Sequence, residues 1–194
     1  MKNYTSKIGF SISIPKNWKI DHDDLTRTGS ARKLQEVYFE APSPLSGKRD
    51  PMWLEDPFFQ EQYFEDGYFT ASPPWDSFTE EEGFPIIKVT KLRLERPMTA
   101  SELEKRIQIT PGKAFDVRYP SRGDSIDGKE VQRSSYLIGG GVADRAGHMR
   151  AIRFDNAYLT VGTTGWVISC SCLESAWSKY ESLFNTIINS FKIL

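Results

Sequence analysis

Two cysteines and two histidines are all that 194 residues provide of the side chains that build disulfide frameworks, thiol nucleophiles and zinc sites. Cys170 and Cys172 stand two apart in an extended apolar pattern, so they share a strand face, and the backbone between them disfavours a bridge. Buried, inert thiols are expected. With only His22 and His148 to help, no zinc-ligand spacing forms, and no metal or cofactor is expected. No run reaches the roughly 18 apolar residues of a membrane span, and residues 1–20 alternate polar with apolar in place of a signal-peptide core. A cytoplasmic protein without membrane contact is the expectation. Neither a Gly-Lys-Ser/Thr loop, nor a Gly-x-Gly-x-x-Gly turn, nor a serine elbow, nor a Cys–His pair close in sequence is present, so no enzyme is expected.

A more local absence is more informative. From Asp50 to Pro85 there is no Lys or Arg, while the same 36 residues hold ten carboxylates and ten aromatic rings. The whole chain carries −1, so removing the segment's −10 leaves the other 158 residues at +9. Rings favour burial and clustered carboxylates favour water or cations, so the segment either docks on its own domain or meets a partner.

What is present fits one α+β domain over residues 1–194, with an insertion at 42–85. A globule of this length buries roughly 70% of its unfolded surface, enough for a full core. Ile8, Phe10, Ile12 and Ile14 alternate as a strand, Pro15-Lys16-Asn17 turns the chain, and Trp18 and Ile20 begin a return, which predicts an opening hairpin. A polar stretch, residues 21–33, leads to an extended piece at Val37 and Phe39, ended by Pro42 and Pro44. Within the insertion, Asp56-Pro57 starts and Asp66-Gly67 stops a short helix over 57–65; after Pro73 the chain reads as loop. Residues 86–94 form a strand of slipping alternation. Thr99 with Glu102 makes a capping box for a helix carrying Leu103 and Ile107, ended before Pro111-Gly112. Strands follow at 114–119, 130–138, 149–154 and 165–172, with 157–161 a further strand or an extension of its neighbour. Trp177, Tyr180, Phe184, Ile187, Ile188 and Phe191 recur at helical spacing as a closing amphipathic helix. Helices over a largely antiparallel sheet result.

The opening Ile8-Gly9-Phe10-Ser11-Ile12-Ser13-Ile14-Pro15-Lys16-Asn17-Trp18 resembles the start of PsbP-like proteins. Phe184-Asn185-Thr186-Ile187-Ile188-Asn189-Ser190-Phe191-Lys192 is similar to their C-terminal helix ending, and Asp127-Gly128-Lys129-Glu130-Val131 to one of their internal turns. The resemblance implies the α/β/α sandwich shared by PsbP subunits, Ran-binding Mog proteins, DcrB- and LpqN-like lipoproteins and Eag-type effector chaperones. It also implies binding, usually of another protein, without a catalytic centre common to the group. The chain departs from these relatives in lacking a lipobox and in carrying the acidic insertion, so none of their binding residues transfers onto it.

Other clusters read as structural. Gly139-Gly140-Gly141 is expected as a hairpin loop, Asp21-His22-Asp23-Asp24 as a solvated turn, and Glu80-Glu81-Glu82 as an exposed run whose equal environments give no acid/base pair. Lys88, Lys91, Arg93 and Arg96, with Arg27, Arg32 and Lys33, lack aromatic stacking partners, because the rings travel with acids that repel phosphate; nucleic acid is not the expected ligand. These basic residues offer the acidic segment a place to fold back, with its rings buried. The rival expectation leaves rings accessible as partner anchors: Trp53, Phe58, Phe59, Tyr63, Phe64, Tyr68, Phe69 and Trp75, ringed by carboxylates that steer a basic protein. A bacterial effector chaperone or an immunity-type protein would use such a surface. An apolar-ligand carrier, with 50–85 as its lid, is the alternative.

Overall fold

Phe10, Ile12 and Ile14 alternate with Ser11 and Ser13 on strand β2 (Phe10–Ile14), and all three apolar side chains are buried. In the computed structural model, which describes residues 1–25, 63–74, 85–107, 117–143 and 149–194, β2 is the middle of a three-stranded antiparallel sheet. Its neighbours are β1 (Lys2–Ser6) and β11 (Lys192–Ile193) at the far end of the chain. The expected opening hairpin is therefore corrected. Pro15–Trp18 does form a turn, with Trp18 N–H donating to the Pro15 carbonyl at 3.1 Å. But both edges of β2 are already taken, so β3 (Lys19–Leu25) leaves for a second sheet and pairs with β4 (Tyr63–Ser72).

That second sheet has eight strands, in the order β3, β4, β5 (Ile86–Leu94), β10 (Thr164–Leu173), β9 (Met149–Val161), β8 (Lys129–Ala143) and β6 (Val117–Arg118), with β7 (Arg122–Ile126) also on β8. Every recorded pairing is antiparallel. The β7–β8 hairpin closes on Asp127-Gly128, with φ of +51° and +72°, the two left-handed residues that a tight hairpin turn needs. Met149–Phe154 and 157–161 join into the single strand β9. Gly139-Gly140-Gly141 is not the hairpin loop: it lies inside β8, where the register with β9 slips between Ile138 and Val142. Glycine there permits a bulge.

The large sheet is covered on both faces, which explains the slipping alternation of β5. Ile87 and Val89 join the main core with β2, Trp166, Ile168 and helix α2 (Trp177–Asn189), while Leu92 and Leu94 face helix α1 (Ala100–Ile107) with Leu103, Ile107, Tyr158 and Val167. A strand buried on both sides loses its polar alternate. α1 sits close to the sheet because position 165 is glycine: a Cβ there would stand 3.1 Å from Leu103 Cδ2. The capping box forms as expected, with Glu102 N–H donating to Thr99 Oγ1 at 3.1 Å and Thr99 N–H to Glu102 Oε2 at 2.8 Å. Thr99→Ala is expected to cost about 1 kcal/mol, read as a lower denaturation midpoint with an unchanged urea m-value.

The extended piece at Val37 and Phe39, residues 57–62 of the expected helix, the Pro111-Gly112 stop, residues 114–116 and His148 lie outside the described residues. Residues 63–65 of that expected helix belong instead to β4.

Candidate functional site

The acidic aromatic segment is not wholly an insertion. Ten of its residues, Tyr63–Ser72, are a strand inside the large sheet, hydrogen-bonded to β3 on one side and β5 on the other. Asp66-Gly67 does not stop a helix; it makes a bulge, because Glu65 pairs with Leu92 and Gly67 with Lys91, leaving Asp66 extra. A bulge shifts the alternation by one residue, and this shift breaks the strand signature in the sequence.

Phe69 is fully buried, with its ring 5.3 Å from Tyr4 and 5.4 Å, edge-on, from Phe10. It is a core residue and cannot anchor a partner, which corrects the expectation for that position. Tyr63, Phe64 and Tyr68 are placed on the same strand. Trp53, Phe58, Phe59 and Trp75 lie outside the described residues. The lid of the carrier reading is also corrected over 63–72, since a strand of the sheet cannot cover that sheet, and the space behind Phe69 is filled by Tyr4 and Phe10.

β4 runs out at Pro73, beside a shallow open depression of about 460 Å³. Pro15, Trp18, Pro73, Tyr180 and Leu183 line it, with Lys16 at its side and no carboxylate in the lining. The turn that carries the chain from the small sheet to the large one and the exposed side of α2 form its walls. Tyr180 stacks on Phe184 at 5.8 Å, and the Trp18 carbonyl accepts a bond from Lys2 Nζ at 2.9 Å, which holds the backbone of the turn. No feature of the sequence pattern pointed to this surface, because it is assembled from positions far apart in the chain.

The basic residues split between faces. Lys91 Nζ donates to the Ile8 carbonyl at 3.0 Å and sits 5.3 Å from the Trp166 ring centroid, whereas Lys88, three residues earlier on β5, lies on the opposite face. Lys88 and Lys91 therefore do not share a face of the sheet. The Asp21–Asp24 cluster is not a solvated turn but part of β3, the outermost strand of the large sheet among the described residues. Asp23 is buried and accepts bonds from Tyr4 Oη (2.7 Å), the Ser6 hydroxyl and the Lys7 N–H, and Asp21 accepts from Ser72 Oγ at 2.7 Å. Burial, reinforced by the bond to Asp23, pushes the Tyr4 phenol up to about 12. Among the described residues no three metal-ligating side chains converge.

One buried polar cluster escaped the sequence reading. Arg133 on β8 is 3% exposed and pairs with Asp155 on β9; its second contacts are Asp124 (3.7 Å) and Asn185 Oδ1 on α2 (2.9 Å). Burial pushes the Asp155 carboxyl above its ordinary range, opposed by Arg133 and, more weakly, by Arg122 and Arg153. Beside it, burial also raises the Cys170 thiol well above normal and Cys172 to about 12. Both thiols are free and buried. A thiol held protonated is a poor nucleophile, and the carboxylate nearest Cys170 is committed to Arg133. Arg153 is clamped between the rings of Tyr119 (4.5 Å) and Trp177 (4.3 Å), which ties α2 to the sheet.

This arrangement, a mainly antiparallel sheet with a small sheet and one helix on one face and a second helix on the other, is the PsbP-like fold. The structure is similar to the solution structure of cyanobacterial PsbP (CyanoP) from Synechocystis sp. PCC 6803, with a TM-score of 0.52 and 14% identity over 100% of this chain and 92% of that one. It is similar to LpqN of Mycobacterium tuberculosis, a protein involved in cell envelope biogenesis, with a TM-score of 0.52 and 8% identity over 99% of this chain and 89% of the other. A protein of Bacteroides thetaiotaomicron VPI-5482 gives a TM-score of 0.51 at 8% identity, and there this chain spans 48% of the longer molecule. At such identities the likeness establishes the fold alone. No family model and no curated protein matches the sequence. No helix among the described residues is long and apolar enough to cross a membrane.

Proposed function

We propose that the chain is a non-catalytic protein-binding module that takes a basic partner through the parts of the acidic aromatic segment flanking β4. The observation that carries this reading is the composition of the sequence on either side of β4. β4 takes four of its ten rings and, with Glu65 and Asp66, two of its ten carboxylates, leaving six rings and eight carboxylates in the flanks. Trp53, Phe58, Phe59 and Trp75 serve as anchors in this reading, and the depression lined by Trp18 and Tyr180, where β4 ends, offers further aromatic surface. Surrounding carboxylates speed encounter with a cationic partner more than they add to affinity. An effector chaperone or an immunity-type protein is the role within this class that such a surface suits, and the cytoplasm the compartment.

The experiment is capture of a partner from native lysate by the full chain and by W53A/F58A/F59A/W75A. Hot-spot aromatics each contribute about 2 kcal/mol or more, roughly thirtyfold in Kd, so the variant should recover none of the partner while keeping the parent's melting temperature. Undiminished recovery would remove the flanks from the mechanism.

A further inference from the structure

One transverse row of the large sheet, on the face that carries α1, is polar across six strands: His22, Thr70, Lys88, Ser169, Asn156 and Ser134 stand in register across β3, β4, β5, β10, β9 and β8. Three of these are almost wholly buried: Ser134 at 4%, Asn156 at 1% and Ser169 at 5% exposure. Asn156 commits both hydrogens of its amide, Nδ2 reaching Tyr158 Oη at 3.0 Å and Tyr136 Oη at 3.3 Å. Its Oδ1 is buried and has no partner among the described residues, and neither has the Oγ of Ser134. The two residues are a cross-strand pair on one face, so their Cβ atoms stand about 5 Å apart.

Buried polar atoms are almost always satisfied, and leaving one unpaired costs about 1–3 kcal/mol. Two unpaired atoms side by side on a rigid sheet define a site for something between them. The requirement is narrow: the occupant must donate to Oδ1 and exchange a bond with a hydroxyl. An anion without an O–H or N–H cannot donate. Turning the amide over would present Nδ2 instead, and the occupant would then have to accept; only a molecule that both donates and accepts serves either way. We propose that Ser134 and Asn156 hold a single resident water molecule, which joins β8 to β9 and completes the network of Tyr136, Asn156 and Tyr158. Internal waters with two to four polar partners are a regular structural component of folded proteins.

A crystal structure of the full chain at water-resolving resolution is expected to show one density peak within about 3 Å of both Ser134 Oγ and Asn156. Oxygen-17 relaxation dispersion in solution should count one fewer long-lived water in Ser134→Ala than in the parent. The rival arrangement is a direct bond from the Ser134 hydroxyl to the amide, reached by rotating the serine. Finding that bond with no density between the residues, or an unchanged water count in S134A, would overturn the proposal. If S134A does not fold, the parent's crystal structure decides alone.

Discussion

Phe69→Ala should lower unfolding free energy by about 3–5 kcal/mol, the cost of removing a buried aromatic ring and leaving a cavity. For a chain of this length that is on the order of a 10 °C drop in melting temperature. The ring is fully buried between Tyr4 and Phe10, at the seam where the small sheet meets the large one, and neither neighbour can close the gap without leaving its own sheet. Phe69→Leu, which keeps most of the volume, should cost less than about 1.5 kcal/mol. Thermal unfolding of the three proteins checks the order. Were Phe69 a partner anchor, truncating it would cost binding and leave stability unchanged, so the experiment separates the two parts of the aromatic segment.

The second large effect is expected at Arg133. Arg133→Met removes the counter-charge of a buried carboxylate while keeping an unbranched side chain at the position, and breaking a buried pair this way costs about 3–5 kcal/mol. R133M/D155L, which removes both charges, should recover most of that loss, since an apolar pair of similar volume is often neutral or better. The pH dependence follows from the Asp155 shift. Burial already raises this carboxyl in the folded chain, and without Arg133 the rise is larger. A raised folded-state value means the contribution to stability is fully present below the unfolded value and is lost as pH rises through the folded one. R133M should therefore lose stability relative to the parent from acidic toward neutral pH, whereas R133M/D155L should not. Urea unfolding at a series of pH values, analysed as a double-mutant cycle, gives the coupling. Equal midpoints for R133M and the double variant at neutral pH would show that Asp155 is not carrying an uncompensated charge.

How much of this was legible in sequence differs by element. The capping box, α2 and strand β10 announce themselves by local pattern, because Thr99 and Glu102 satisfy each other's amides and α2 has only one face to bury. The Asp127-Gly128 turn is equally local. β1 and β11 are too short and too polar to signal; each exists because β2 supplies an edge, a fact of tertiary pairing. The opening hairpin failed for the same reason, since a turn at Pro15 fixes the change of direction but not which strands pair. β4 was hidden by its bulge at Asp66-Gly67, which breaks the period of two and spaces its rings like neither helix nor strand. The polar clusters were invisible in a different way. Arg133, Asp155 and Asn185 are separated by 22 and 30 residues, and Trp18 and Tyr180 by 162, so only the folded sheet brings them together. The charge asymmetry of residues 50–85 was plain from composition, but composition cannot say which of its rings the sheet claims.

On the proposed function, the flanks of β4, and not β4 itself, grip another protein. Hydrogen exchange on the captured complex tests it most directly, by comparing the full chain free and partner-bound. Slowed exchange within 50–62 and 75–84 on binding, with the amides of β4 unchanged, is the predicted footprint. Protection confined to β8, β9 and β10, with those flanks exchanging as in the free chain, would contradict it.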